Sequence, residues 1–439
     1  MTISDHFITF VKFKKAEKMK RLISLSCILA VTAALAQENP DLSSDRYSSA
    51  NILHTYTVPG FQDTKAPAGF KPFYVSHYGR HGSRYHLSDG KFDPALPQLD
   101  SLHAKALLTE DGETFRDILH WMKDKQNGVA GILTQVGSKE HQGIGRRLYQ
   151  RCPSIFRQKD RPVVHCVSSP IQRCIQSMAN FSMGLKGKAP GLDFQLYTGE
   201  KYYTLLVNDF DKSGMVRKAN AIIDSLILAD FDYKTTGNRF VTDVQTAESA
   251  LGGANIGRLL YEMYASAGII RCFDETTPDP FALFTDEELA LFCRMSNVLY
   301  CASYNHSAEF GEIVPNTSGT NILRDIMEKA DAAIAGNDVC ADLRFGHDSG
   351  IGPLLALMGV EGYDAVPRLA DSYKVWPGWK YLPMGSNFEM IFYRNGKDEV
   401  LVKMLRNEEE TTIPAISTYK GPYYRWNDLE EYLKSRLPR

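Results

Sequence analysis

The sequence predicts an α/β fold in which a mostly parallel sheet is flanked by helices and interrupted by an inserted all-α cap domain. Three observations support this class. Short runs rich in Val, Ile, Leu, Phe and Tyr end in Gly or polar residues, as the strands of a buried sheet do. Between residues 190 and 336 apolar residues recur every three to four positions, which indicates helices. Strand-like runs return after residue 336, so the helical stretch interrupts the sheet.

The strand predictions follow from runs of β-branched and aromatic residues that are bounded by turn residues. Gly79 and Gly82 predict a tight turn directly after the first of these strands. The predicted strands are Phe73–Ser76, Val163–Val167, Leu343–Phe345, Phe388–Tyr393 and Val400–Met404.

The helix predictions depend on apolar periodicity and on signals at the helix ends. Thr285 with Glu288 forms a capping-box pattern, and Gly336 predicts a helix stop. Asn427 with Glu430 predicts the start of a last helix. The predicted helices are Ala219–Leu228, Asn255–Ala267, Thr285–Cys301, Asn321–Ala335 and Leu429–Leu437.

Length and composition are those of a compact enzyme. The 439 residues are enough for two to three domains. The hydrophobic fraction of 44% and the charged fraction of 23% are ordinary for globular proteins. We predict that residues 37–189 and 337–439 form an α/β core and that residues 190–336 form the α-helical cap insertion.

Residues 1–36 have the pattern of an export signal. Met19-Lys20-Arg21 is a positive start, Leu22–Ala33 an apolar core, and Ala34-Leu35-Ala36 a small-residue cleavage site. We predict cleavage after Ala36 and a secreted or periplasmic protein. No stable membrane span is expected, because the apolar run is too short. Translation could start at Met19, since the residues before it are unusual ahead of a signal.

Charge and cysteine content exclude some classes of function. The net charge is −2, and residues 1–36 carry six Lys and Arg against two Asp and Glu, which leaves −6 on the rest. A mildly acidic body argues against a general nucleic-acid binder. Cleavage would leave seven cysteines, an odd number that requires at least one free thiol and permits three disulfides of undetermined pairing.

The most informative motif is Arg80-His81-Gly82-Ser83-Arg84, which closely follows the first predicted strand. Ligands of open α/β sheets bind at the carboxyl ends of strands. Guanidinium groups pair bidentately with phosphate oxygens. Two of them around a neutral imidazole therefore predict a pocket for a tetrahedral dianion.

Two later segments place polar groups at equivalent positions after a strand. Ser168-Ser169-Pro170 separates the second predicted strand from a helix whose first turn carries Arg173. His347-Asp348 follows the third predicted strand and precedes an apolar helix. Because the core of one sheet can bring these strand ends together, we predict a common site.

Together these motifs resemble the histidine phosphatase superfamily, in its acid phosphatase and phytase branch. The Arg-His-Gly-x-Arg motif, the Ser-Ser-x-x-x-Arg segment and the His-Asp pair occur in the family's order. The segment Leu133-Thr134-Gln135-Val136-Gly137 is similar to the family's Leu-Thr-x-x-Gly helix. Residues 383–407 resemble the C-terminal strands of the multiple inositol polyphosphate phosphatases, and the whole resemblance spans residues 73–414.

The resemblance implies that His81 is the nucleophile and forms a phosphohistidine. Asp348 would protonate the leaving group and then help to activate water, so an acidic pH optimum is a hypothesis. No metal or other cofactor is implied. The expected partner is a phosphorylated small molecule, with inositol hexakisphosphate (phytate) favoured. The residues implied to hold the phosphoryl oxygens are Arg80, Arg84, Arg173 and His347.

Two positions depart from the family's pattern. His86 stands where the family usually has Pro, which implies either a less rigid loop or a histidine that lines the pocket. His347-Asp348-Ser349 stands where the animal-type inositol polyphosphate phosphatases typically have His-Ala-Glu. The expected proton donor is therefore an Asp, as in many phytases.

Other interpretations of the same residues stay open. His77, His81 and His86 could form a zinc cluster, although a strand and a turn do not give the helical spacing of such ligands. The chain could also be a broad-specificity acid phosphatase or a catalytically silent ligand-binding protein of the cell envelope. A mutase of the same superfamily is a further alternative, but those enzymes are cytosolic and the export signal argues against one.

Charged residues outside the motifs have weaker interpretations. Lys91, Arg217 and Arg258 are candidates for additional contacts to a polyanionic substrate. The run Glu408–Glu410 is interpreted as a solvated charged segment. The sequence determines neither which phosphate is attacked first nor the oligomeric state.

Overall fold

The computed structural model describes Leu42 and residues 45–438, except residues 61, 161, 208–209 and 274–277. The predicted export signal lies outside the described residues, so its cleavage after Ala36 stays a prediction. Within the described residues, no helix is long and apolar enough to cross a membrane.

The described residues form one mixed sheet of eight strands. In chain order these are β1 (Lys71–Arg80), β2 (Val163–Ser168), β3 (Asp193–Tyr197), β4 (Val339–Gly346), β5 (Asn387–Arg394), β6 (Val400–Arg406), β7 (Glu409–Thr411) and β8 (Tyr423–Arg425). They lie in the order β3-β2-β4-β1-β5-β6-β7, and β8 also pairs with β6. Neighbours from β3 to β1 are parallel, whereas all pairs from β1–β5 onward are antiparallel. The predicted α/β class is confirmed and every predicted strand is present, but the sheet is mixed rather than mostly parallel, because three of its strand pairs are parallel and four are antiparallel.

The helices that the structure describes cover both faces of this sheet. In chain order they are α1 (Leu96–Ala104), α2 (Glu110–Gln126), α3 (Gln135–Arg151), α4 (Gln172–Lys186), α5 (Tyr203–Leu206), α6 (Ser213–Asp230), α7 (Tyr233–Phe240), α8 (Val244–Ala250), α9 (Ile256–Ala267), α10 (Asp286–Tyr304), α11 (Ile313–Ser318), α12 (Thr320–Ala335), α13 (Asp348–Met358), α14 (Gly378–Tyr381) and α15 (Trp426–Arg436).

Strand β1 lies in the middle of the sheet and is buried on both faces. Its side chains alternate, as the pleat requires. Val75 packs with α3 and α4 on one face, and Tyr74 and Tyr78 join the larger apolar core on the other. That second face is covered by α12 and α13. Burial on both faces explains why β1 reads as a nearly continuous apolar run.

Strand β1 continues without a turn through Gly79, which pairs with Phe345 and Asn387 on the neighbouring strands. The tight turn predicted at this glycine is therefore wrong. A Cβ atom on Gly79 would lie 2.9 Å from Nε2 of His77. The residue is small because the strand must leave room for an imidazole, not because the chain reverses there.

The division at residues 190 and 336 stays a prediction, but three packing features bear on its boundaries. β3 lies inside the stretch predicted as all-helical, where it pairs with β2. This strand was missed because it is short and its side chains are half-buried or exposed. Helix α12, which lies in the predicted cap, packs against β1 and β4 of the sheet. Helix α2, which lies in the predicted core before residue 190, packs against α7 and α9 of the predicted cap.

Several local sequence signals have the predicted structural effect. Thr285 and Glu288 form a reciprocal capping box at the start of α10. Gly336 ends α12 in the left-handed conformation at φ 104°. The last helix begins at Trp426 after Arg425, so the start predicted from Asn427 is displaced. All seven cysteines of the described chain are buried free thiols, and none of them forms a disulfide.

The acidic run at residues 408–410 is only partly solvated, which corrects the sequence interpretation: Glu409 is exposed, Glu410 is half-buried and Glu408 is buried. Glu408 is 3% exposed. It accepts hydrogen bonds from Arg147 at 2.7 Å and from the hydroxyl of Tyr56 at 3.0 Å. Glu410 accepts one from Nζ of Lys403 at 3.0 Å. The hairpin between β6 and β7 pairs this run with β6, where Glu408 contacts half-buried Arg147 and Glu410 contacts buried Lys403.

Candidate active site

The predicted site residues converge at the carboxyl ends of β1 and β4, which are parallel neighbours. Arg80 is the last residue of β1 and pairs in register with Gly346, the last residue of β4. His81 follows Arg80, and His347 follows Gly346. The rings of the two histidines are 5.7 Å apart and nearly perpendicular. Parallel pairing thus brings together residues that are more than 260 positions apart in the chain.

Arg80 is completely buried and fixed in place. Its Nη1 donates to the carbonyl oxygens of Ile52 at 2.8 Å and Leu382 at 2.7 Å. Its Nη2 donates to Oδ2 of Asp348 at 2.8 Å. The two carbonyls orient the guanidinium without neutralising it, whereas the carboxylate of Asp348 partly compensates its charge.

His81 is 1% exposed, and its Nδ1 lies 2.9 Å from the carbonyl oxygen of Gly82. A carbonyl only accepts hydrogen bonds, so this contact assigns the proton to Nδ1 and leaves a lone pair on Nε2. Burial, followed by the charges of Arg173 and Arg80, holds the pKa of His81 well below its ordinary value. The arrangement therefore presents a neutral imidazole with a nucleophilic Nε2.

The loop after His81 packs directly on the start of α3. A Cβ atom on Gly82 would lie 2.8 Å from Cα of Gly137, so only glycine permits this approach. Thr134 caps α3 and donates from its backbone N and its Oγ1 to the carbonyl of Ser83, at 2.9 and 3.1 Å. The Leu-Thr-x-x-Gly segment noted in the sequence is thus the surface against which this loop packs.

Two further arginines lie in the site. Arg84 is 5% exposed and donates to the carbonyl of Tyr85 at 2.9 Å. Burial, together with Arg173 and Arg80, lowers the pKa of Arg84 to about 10. Arg173 lies in the first turn of α4, and its Nη2 donates to Nδ1 of His347 at 3.2 Å. Three guanidinium groups in mutual electrostatic contact form a strongly anion-attracting site.

Both ring nitrogens of His347 are occupied by protein groups, a feature that the sequence did not predict. Nδ1 accepts from Arg173, so Nε2 carries the proton and donates to Oγ of Ser169 at 3.0 Å. Burial and the charge of Arg173 lower the pKa of His347 to about 3. His347 is neutral at ordinary pH and bridges the ends of β2 and β4.

Asp348 is the first residue of α13, and its carboxylate accepts from two donors. Oδ1 accepts from the backbone N of Ser349 at 2.9 Å, and Oδ2 accepts from Arg80. Burial by itself raises the pKa of Asp348, but the surrounding charges, above all that of Arg80, outweigh burial and hold this pKa below its usual value. In the free protein Asp348 is therefore ionised.

A cavity of about 270 Å³ opens onto Arg84 and Asp348. Of the three candidate cations for a polyanionic ligand, Lys91 and Arg258 line this cavity, whereas Arg217 is not part of its lining. Arg258 is already paired, with Asp224 at 3.0 Å and with Glu262 at 2.5 Å. The charge around this cavity is thus less positive than its basic residues alone suggest.

His86 also lines this cavity and is firmly held. Its Nε2 donates to the carbonyl of Ser266 at 2.8 Å, and its ring packs edge-on against Phe92. His77 lies elsewhere, with its ring against Phe181 and Phe345. The alternative of a zinc cluster is wrong, because within the described ranges no three His, Cys, Asp or Glu side chains are arranged to hold a metal ion.

Sequence reasoning missed one group that contacts the nucleophile loop. Glu140, in the second turn of α3, accepts from the backbone N of Ser83 at 2.8 Å and from its Oγ at 2.7 Å. It also accepts from the backbone N of Tyr56 at 2.9 Å. A carboxylate three residues beyond Gly137 was the available signal, but nothing in the local pattern connects it with residue 83.

The buried histidines predict that acid destabilises the fold. Burial lowers the pKa of His86, His141 and His347 to about 3 from an ordinary 6.5. The unfolded chain therefore binds more protons between these values, and stability is lost as the pH falls through that window. Each such group contributes up to about 1.4 kcal/mol per pH unit.

Urea unfolding at pH 7, 6 and 5 measures this loss. His141→Phe removes one titrating group that lies beside Phe345. It should reduce the dependence of the unfolding free energy on pH by up to about 1.4 kcal/mol per pH unit below 6.5. An identical dependence in the variant and the parent would show that His141 titrates normally in the folded protein.

Comparisons with known proteins agree with this geometry. Residues 75–250 match the family model of the histidine phosphatase superfamily (branch 2). The match includes the loop at His81, the segment at Thr134 and Arg173. No protein of curated function is matched by the sequence.

Solved structures with the same fold cover nearly the whole chain. The multiple inositol polyphosphate phosphatase of Bifidobacterium longum, in complex with inositol hexasulfate, is 19% identical, with a TM-score of 0.72 over 88% of this chain and 97% of that chain. The phytase from D. castellii is 14% identical, with a TM-score of 0.62 over 89% of this chain and 85% of that chain. At these identities the likeness establishes the fold.

Proposed function

We propose that this protein, a histidine-type phosphatase carrying a branch 2 domain of the histidine phosphatase superfamily, hydrolyses inositol polyphosphates such as phytate. The observation that carries the proposal is the convergence of a neutral imidazole, three guanidinium groups and a carboxyl group at the ends of two parallel strands. A site that only binds anions needs neither a free imidazole lone pair nor an acid. An exported location, from the sequence of residues 1–36, is part of the proposal.

In the first step Nε2 of His81 attacks phosphorus, and the bond from phosphorus to the ester oxygen breaks. Asp348 transfers its proton to the leaving oxygen, so an alcohol departs rather than an alkoxide. Arg80, Arg84 and Arg173 stabilise the charge on the equatorial oxygens of the phosphoryl group. The products of this step are phosphohistidine and ionised Asp348.

In the second step the same carboxylate accepts a proton from water, which attacks the phosphohistidine. The bond from Nε2 to phosphorus breaks, and inorganic phosphate and neutral His81 are regenerated. His347 would contact the phosphate only by giving up its hydrogen bond to Ser169, 3.0 Å away. In the free protein His347 orients Arg173, because its Nδ1 accepts a hydrogen bond from that guanidinium.

Asp348 must gain a proton before the first step, although its pKa is low in the free protein. A bound phosphate dianion offsets the field of the three arginines and repels the carboxylate, and both effects raise this pKa. Substrate binding thus favours the acid form that the chemistry requires.

Inositol polyphosphates are favoured because cations line the cavity beyond the reacting phosphate. Lys91, which lines this cavity, can contact a neighbouring phosphate group of the same substrate molecule. The B. longum protein with the same fold is named for multiple inositol polyphosphates, and its complex contains inositol hexasulfate. A broad-specificity acid phosphatase is the second candidate, because Asp224 and Glu262 already pair with Arg258.

Comparison of kcat/KM for phytate, sugar phosphates and nucleotides tests the choice of substrate. A preference for phytate of about tenfold or more, roughly 1.4 kcal/mol of transition-state discrimination, supports the inositol polyphosphate assignment. Equal values for all three would favour the general phosphatase.

Replacing Lys91 by Met tests the extra phosphate contacts directly. The KM for phytate should rise about tenfold, which corresponds to one charge-assisted hydrogen bond of roughly 1.5 kcal/mol. The KM for p-nitrophenyl phosphate should stay the same, because that substrate has no second phosphate. A parallel rise for both substrates would contradict a role in binding neighbouring phosphates.

A further inference from the structure

Glu140 and His81 contact opposite ends of the same peptide unit. The backbone N–H of Ser83 donates to Oε2 of Glu140 at 2.8 Å. The carbonyl oxygen of Gly82, on the other side of that peptide bond, accepts the Nδ1 proton of His81 at 2.9 Å. One amide group therefore connects a carboxylate with the imidazole at the centre of the site.

We propose that Glu140 is a positioning residue that acts on His81 through the Gly82–Ser83 peptide. The inference rests on the proposed role of His81 as nucleophile. Glu140 fixes the direction of the Gly82 carbonyl and thereby holds the proton of His81 on Nδ1. The lone pair on Nε2 then faces the phosphate, as attack requires.

The carboxylate also affects the energy of the step. When Nε2 bonds to phosphorus and the ester bond breaks, the ring retains its Nδ1 proton and becomes cationic. Burial raises the pKa of Glu140, whereas its hydrogen bonds from Ser83 and Tyr56 lower it. All of these partners donate, which favours the ionised carboxylate. Its negative charge polarises the amide through the Ser83 N–H, so the Gly82 carbonyl becomes a stronger acceptor. A stronger acceptor stabilises the ring more after the charge has developed than before, which favours the transition state.

The surroundings of this peptide leave it little freedom to turn. A Cβ atom on Gly82 would lie 2.9 Å from Oε2 of Glu140 and 2.8 Å from Gly137. The backbone N of Gly82 donates to Oγ of Ser177 at 3.2 Å. Oε1 of Glu140 also accepts a hydrogen bond from the backbone N of Tyr56, so both carboxylate oxygens are held in place.

Glutamine has the same shape as glutamate but cannot satisfy these donors. Oε1 of Glu140 accepts from Tyr56 N and Ser83 Oγ, and Oε2 accepts from Ser83 N. An amide at residue 140 places its NH2 group against one of the two backbone N–H groups. The Glu140→Gln variant therefore loses the charge and at least one contact, with minimal change in volume.

The experiment compares Glu140→Gln with two matched variants. Ser83→Ala removes the hydroxyl, with its contacts to Glu140 and to the thiol of Cys272, and keeps the backbone N–H. Glu408→Gln removes a buried carboxylate that is bonded to Arg147 and to the Tyr56 hydroxyl, with no contact to the loop at His81. Three quantities are measured: the single-turnover rate of phosphoenzyme formation, the Kd for inorganic phosphate, and the ¹⁵N and ¹H signals of the His81 ring.

For Glu140→Gln we expect phosphoenzyme formation to slow by about 10- to 100-fold, the range that misplacement of a reacting group produces. The Kd for phosphate should change by less than about threefold, since the arginines that bind it are untouched. A threefold change in Kd is a smaller effect than the loss of one charged hydrogen bond would produce. The Nδ1 proton signal of His81 should shift. Neither matched variant should reproduce this combination.

Two results would overturn the proposal while His81 remains the nucleophile. One is a wild-type rate of phosphoenzyme formation in Glu140→Gln. The other is a weakening of phosphate binding that parallels the loss of rate, because that pattern indicates a general distortion of the site. Phosphoenzyme formation by His81→Ala would instead refute the proposed function itself, whatever Glu140 does.

Discussion

Replacing His81 by Ala should reduce the turnover of p-nitrophenyl phosphate by about 10⁴-fold or more, since it removes the group that forms the covalent intermediate. The imidazole of His81 is the only ring at the site, within the described residues, that combines a fixed Nδ1 proton with a free Nε2. His347 lies 5.7 Å away but has both nitrogens engaged. It is not positioned to replace the missing nucleophile.

The measurement is kcat for p-nitrophenyl phosphate in the presence of a chelator, together with a base quench that preserves phosphohistidine. His306→Phe is the matched control, because it replaces another buried histidine whose charged neighbours, Glu312 and Arg436, lie outside the arginine cluster. That control should keep kcat and form a phosphoenzyme. Residual turnover within tenfold of the parent in His81→Ala would exclude His81 as the nucleophile.

Replacing Asp348 by Asn should have the second largest effect, and its size should depend on the leaving group. For phytate, whose leaving oxygen is a poorly stabilised alkoxide, the loss of a general acid lowers kcat by about 10²- to 10⁴-fold. For p-nitrophenyl phosphate the first step needs little protonation, because the phenolate leaves readily. Single-turnover rates with the two substrates separate these cases, and equal losses with both would contradict the acid role.

The pH dependence of Asp348 gives this prediction a second readout. The pKa of this carboxyl is depressed in the free protein, so kcat/KM should fall as the pH rises above that low value. Bound substrate raises the pKa, and the basic limb of kcat should therefore lie at higher pH than that of kcat/KM. The Asn variant should lose the limb that belongs to Asp348 and keep only the titration of the substrate. A flat profile in the parent enzyme would exclude Asp348 as the acid.

Five of the eight strands and the longest helices between residues 190 and 336 were predictable because their information is local. The continuous apolar run around Tyr74 and Val75 indicates a strand, and the capping pair Thr285 and Glu288 indicates a helix start; each signal lies within a few residues. The site motifs could also be recognised in the sequence, since Arg80, His81 and Arg84 lie close together at the end of a strand. Parallel pairing of strands then places their carboxyl ends together without further information.

Other features could not be predicted from the sequence, because they depend on residues that are distant in the chain. The edge strand β3 has no fully buried side chain and is defined by its pairing with β2. In the sequence, Glu408 is interpreted as part of a charged surface run. The fold places Arg147, which lies 261 positions away, against its carboxylate. The contact between Ser83 and Glu140 likewise joins two segments that are 57 residues apart.

The main strands and helices, and the chemistry available at the strand ends, could be predicted from the sequence alone, because periodicity and short motifs depend only on neighbouring residues. The protonation of that chemistry is decided by the tertiary structure. Burial makes His81 and His347 neutral, Arg80 holds Asp348 ionised, and a single peptide between Glu140 and His81 fixes the tautomer. Each of these effects depends on distance and on exclusion of water, and both arise only when the chain has folded.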